Sequence, residues 1–172
     1  MSPSRIPRIL TGSLLLAALA LAPAAAWAFT ATLTIPNLCA APIDVTLFSL
    51  EANNTVVVSG GGGGAGTGKA SIKPLVLSKA PDDCTPLLFK AVFTGQHFQT
   101  ATLQVGTKNT PGFFTIQLTD VLVTNLKHEF SKQGSGPGDD LLMESVTLTS
   151  ASLTFTSGGT SVTCNQTTNS CQ

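Results

Sequence analysis

The residues best equipped for chemistry are the cysteines Cys39, Cys84, Cys164 and Cys171. In an oxidising compartment, an even number of cysteines reads as two disulfides. Four cysteines allow three connectivities. Cys164 with Cys171 closes a short tail loop and is the simplest pair. It leaves Cys39 with Cys84, which would tie the end of the first strand to a helix start. Loop entropy gives such bridges roughly 2 and 4 kcal/mol. A zinc set does not fit: there is no Cys-x-x-Cys or His-x-x-x-His spacing, and two histidines do not complete one.

The remaining polar residues suggest little catalysis. His97 and His128 lie outside any Gly-x-Ser-x-Gly or His-Glu-x-x-His frame. No catalytic residue, no metal and no cofactor is expected, and the protein reads as a non-enzyme. Asp139, Asp140 and Glu144 cluster near glycines, where carboxylates can hold calcium, but their spacing matches no calcium loop. A solvated acidic loop is the expectation. Asp120 interrupts an apolar strand, and its carboxylate is expected to accept backbone N–H bonds at a bend. Gly60 to Gly64, with Gly66 and Gly68, invites a phosphate-loop reading. That reading fails because Gly68-Lys69 leads into a strand rather than a helix.

The first 28 residues are read as a secretory leader. Arg5 and Arg8 form a cationic start, Leu14 to Ala22 an apolar run, and Ala26-x-Ala28 a small-residue cleavage site before Phe29. The run is short for a membrane span and is broken by Pro23. Cleavage between Ala28 and Phe29 would leave residues 29–172, with seven lysines against nine carboxylates and no Arg, Trp or Tyr. A mildly acidic chain without arginine disfavours nucleic acid and anionic membrane as partners. An exported location, periplasmic or extracellular, follows from the leader, with no membrane attachment after cleavage.

The 172-residue length fits one domain. Residues 31–35 alternate in polarity, as a half-buried strand does. A second strand is expected over 43–52, a short one at 56–58, a flexible loop over 60–68 and a strand over 70–77. Thr85 is expected to cap a helix with Pro86 at its first position, and Gly95 to stop it. Leu87, Leu88, Phe89, Ala91, Val92 and Phe93 make that helix apolar almost all round. Such a helix must be buried against a sheet or a neighbouring chain. Asn109 to Gly112 is a turn signal. The strands 114–123 and 144–155 each switch their inward parity partway, which suggests a bulge or bend. Residues 131–140 read as a loop.

The ordered series Gly68-Lys69-Ala70-Ser71-Ile72, Leu77-Ser78-Lys79, Thr85-Pro86-Leu87-Leu88 and Thr94-Gly95-Gln96-His97 resembles the middle of the Hcp family, the tube proteins of type VI secretion. The likeness continues through Ile116 to Val123, the glycines at 134–138, Glu144 to Leu148 and Leu153-Thr154-Phe155. It implies a mainly β fold: a small antiparallel barrel of two packed sheets over residues 29–157, flanked by one helix, with 158–172 as a disulfide-bearing tail. It implies a structural role, self-assembly into hexameric rings that stack into a tube, and effector or spike proteins as partners. The leader and the cysteines depart from the family pattern. They raise a second expectation, an exported protein acting outside the cytoplasm as a binding or matrix subunit.

Overall fold

The computed structural model describes residues 29–57, 66–107, 110–132 and 140–172. The leader up to Ala28, most of the glycine run, Asn109 of the expected turn and the glycines at 134–138 lie outside the described residues. The described chain forms eleven strands and one helix. They are β1 (Phe29–Thr34), β2 (Ile43–Val45), β3 (Leu47–Ser49), β4 (Ala52–Val57), β5 (Gly66–Ile72), β6 (Leu75–Lys79), α1 (Thr85–Thr94), β7 (His97–Thr107), β8 (Thr110–Lys132), β9 (Asp140–Ser157), β10 (Thr160–Asn165) and β11 (Ser170–Cys171).

Nine of the strands make one antiparallel sheet. Its main path runs β11-β10-β9-β8-β7-β1-β2, with β6 on β9 and β3 on β6. The separate ribbon β4–β5 is the second sheet. The two sheets expected are present as this nine-stranded sheet and the ribbon, and the larger one is continuous. The physical reason is the length of β8 and β9, at 23 and 18 residues. They stay paired from Phe114 opposite Ser157 to Lys132 opposite Asp140. Along its other edge β9 carries β6 on residues 144–148 and β10 on residues 152–157.

The barrel stops short of full closure. The expected strand over 43–52 is broken at Thr46, so β2 pairs with β1 and β3 with β6. The Thr46 N–H donates to Ser78 O at 2.9 Å, the stitch where the strand changes partner. The expected strand over 70–77 also divides, at Lys73-Pro74, because proline cannot continue a ladder. Gly66 to Gly68, expected in a loop, belong to β5.

The parity switches are where the sequence places them. Ile116 and Leu118 point inward, then Val121 and Val123. Between them Asp120 takes a left-handed backbone (φ 55°). A bulge between Val123 and Asn125 then restores the first parity. On β9 Val146 and Leu148 face in on one parity, and Leu153 on the other. The core joins these residues to Leu33, Ile35 and Ile43, to Leu75 and Leu77, and to Leu88 and Ala91 of the helix.

The helix stops as expected: Gly95 is left-handed (φ 60°) and its N–H donates to Ala91 O. Its start differs. Cys84 occupies the N-cap position without a side-chain cap, so Thr85 and Pro86 are both already helical. Nor is the helix covered all round, since Leu87, Phe89 and Phe93 are exposed.

Candidate functional site

The one densely connected polar constellation among the described residues lies where β6, β8, β9 and the start of α1 meet. Along β6, Leu75, Leu77 and Lys79 share the inward face; along β9, Glu144, Val146 and Leu148 do. The strand periodicity that buries the apolar residues buries Lys79 and Glu144 with them. The ladder then sets the charges side by side, Lys79 opposite Glu144 and Glu144 opposite His128.

The geometry is close. Both Lys79 and Glu144 are 0% exposed, and Lys79 Nζ lies 2.7 Å from Glu144 Oε2. Thr85 Oγ1 donates to the same oxygen at 2.8 Å. Lys79 Nζ also donates to Thr85 Oγ1 at 3.2 Å and meets Asp82 Oδ1 at 3.0 Å, so its three protons each have an acceptor. Asp82 Oδ1 further accepts the Cys84 N–H at 2.9 Å, and the Asp82 N–H donates to Thr85 Oγ1 at 3.1 Å. The second oxygen, Glu144 Oε1, is fully buried and accepts no hydrogen bond of good geometry. His128 Nε2 approaches it to 2.9 Å from the half-exposed side.

This row fastens the helix start to the sheet. Lys79 and Glu144 are closed to solvent, so no substrate reaches them, and Thr85 already donates its proton to the carboxylate. The Cys39–Cys84 disulfide adds a covalent tie at the same place, with Cα atoms 5.4 Å apart. It holds the loop after β1 against the helix N-terminus.

The other residues singled out by sequence are placed as follows. Cys164 and Cys171 are joined, directly opposite each other on β10 and β11. Residues 158–172, expected as a tail, extend the sheet by these two strands. Phe29 opens β1. His97 Nδ1 lies 2.8 Å from Asp120 Oδ1, and both side chains are exposed. The Asp120 carboxylate thus meets a side chain, not the expected backbone N–H groups. Glu144 leaves the expected acidic loop altogether: its charge is taken up by Lys79. Among the described residues no group of three His, Cys, Asp or Glu is placed to hold a metal ion, and no helix is long and apolar enough to cross a membrane.

Two surface features complete the picture. The outward sheet face carries cross-strand rows of neutral polar residues. One runs Thr34–Thr102–Gln117–Thr154–Thr163, and another Thr32–Gln104–Thr115–Thr156–Ser161. Thr154 bonds Thr163 at 2.8 Å, and Thr156 bonds Ser161 at 3.0 Å. Large apolar side chains are also exposed, among them Phe29 with Phe113 at the start of β1, Phe89 with Phe93 on the helix, Phe130 with Leu141 and Leu142 at the far end of the β8–β9 hairpin, and Leu47 on β3.

A protein-family model described as type VI secretion system effector, Hcp, matches residues 39–156. No curated protein matches the sequence. Among solved structures, one titled as a type six secretion system protein superposes with a TM-score of 0.72 at 22% identity, covering 84% of this chain and 100% of its own. Hcp1 from Salmonella typhimurium gives 0.66 at 20% identity, covering 84% and 99%. The protein titled secreted Hcp3 from Pseudomonas aeruginosa gives 0.53 at 17%, covering 80% and 96%.

Proposed function

The chain belongs to the Hcp family of type VI secretion system effectors, and from that premise we propose that it is a non-catalytic structural subunit that assembles with its own copies into hexameric rings, stacked as a tube. The observation that carries the reading is a contrast between core and surface. The core buries its apolar side chains, and Lys79 and Glu144 pair with each other inside it. Yet Phe29, Phe89, Phe93, Phe113, Phe130, Leu141 and Leu142 stay exposed. Exposed apolar clusters of this size mark protein contacts. The neutral polar face of the sheet adds no charge repulsion between copies. Effector or spike proteins are the further partners this reading brings.

The test is assembly of residues 29–172 at high concentration. Sedimentation and electron microscopy should show rings of six. A strict monomer would remove the reading.

A second reading is favoured by the cationic and apolar start of the chain together with the two disulfides. In it the leader is cleaved and the folded domain works in the periplasm or outside the cell as a binding or matrix subunit. Mass spectrometry of the protein's N-terminus separates the two. Phe29 as first residue supports export through the leader; an intact start at Met1 or Ser2 supports assembly in the cytoplasm.

A further inference from the structure

We propose that His128 is a proton-operated latch that stiffens the β8–β9 hairpin arm in mild acid. The arm is residues 125–132 paired with 140–147, beyond the bulge that restores the inward parity. That bulge turns His128 toward Glu144, its direct cross-strand partner. Nε2 and Oε1 lie 2.9 Å apart. The ring N–H is not aimed at Oε1, so the contact acts through charge: at that distance a protonated ring and the carboxylate form an ion pair.

The surrounding charges say which state of the ring fits. From β6 the cluster receives the Lys79 ammonium, from the turn before α1 the Asp82 carboxylate, from α1 the neutral Thr85 hydroxyl, and from β9 Glu144 itself. One cation faces two anions. Lys127 and Glu129, the neighbours of His128 on β8, are exposed and pair with each other. An imidazolium at His128 balances the cluster and sets a positive charge beside Oε1. A neutral ring leaves the charge unbalanced. Histidine gains its charge between about pH 8 and pH 5. The contact therefore holds the arm in mild acid and loosens it as the pH rises.

The arm ends in exposed Phe130, Leu141 and Leu142, so the latch governs how firmly an apolar contact surface is presented. It operates within one chain and does not depend on ring formation.

Amide hydrogen exchange of the intact purified protein tests it. Corrected for intrinsic exchange, opening of the arm should slow about two- to fivefold from about pH 8 to about pH 5. His128→Gln should remove that dependence, and His128→Lys should hold the slow state at every pH. His97→Gln, which alters the other histidine, should leave it intact. An arm whose opening is unchanged or faster in acid overturns the proposal. So does a His128→Gln protein that keeps the parent's pH response.

Discussion

At the scale of single residues, Lys79 and Glu144 carry the largest electrostatic stake. A buried pair stabilises little against an apolar alternative, yet losing one partner strands a charge in the interior. Lys79→Met should cost about 3–5 kcal/mol in denaturant unfolding. The double variant Lys79→Met with Glu144→Leu should recover most of that loss, because apolar packing replaces both charges. Asp120 makes a different point. Its left-handed backbone (φ 55°) suits asparagine or glycine, whereas Asp120→Val should cost roughly 1–2 kcal/mol by thermal unfolding. The sequence marks Asp120 as a bend but does not show that His97 is its partner.

At the scale of elements, the ribbon β4–β5 stands apart from the main sheet and depends on a clasp at its open end. Glu51 lies 3.0 Å from Lys73, and the Lys73 N–H donates to Glu51 O at 2.8 Å. The Lys73 hydrogen bond, then that of Asn53, holds the Glu51 carboxyl below its ordinary value. A lowered carboxyl stabilises the folded form above its unfolded range. That contribution disappears as the pH falls through the lowered value. Amide protection in the ribbon should therefore drop in acid, weakly because the pair is exposed. Glu51→Gln should flatten the response and high salt should mute it. The helix depends on a stronger tie. Replacing Cys39 and Cys84 by serine should lower stability by about 4 kcal/mol for a loop of this length. The loss should appear as earlier melting of the helix signal in circular dichroism.

At the scale of the whole molecule, the exposed apolar clusters should decide association. Phe89→Ser with Phe93→Ser, or Phe130→Ser with Leu142→Ser, should leave the melting temperature nearly unchanged while shifting sedimentation toward the monomer. Much of this chain was legible in its sequence. Alternation marked β1 and the long strands, parity switches marked the bends in β8 and β9, Gly95 marked the helix stop, and the short tail loop pointed to Cys164 with Cys171. These signals are local, because side-chain direction follows from backbone periodicity within a few residues. What the tertiary structure alone decided is partnership. Thr46 breaks a strand because its two halves find different neighbours, and the tail becomes sheet because β9 leaves an edge open to it. Lys79 and Glu144, 65 residues apart, become a buried pair only when β6 and β9 fall into register. Periodicity says which way a side chain points; only the register between distant strands says what it meets.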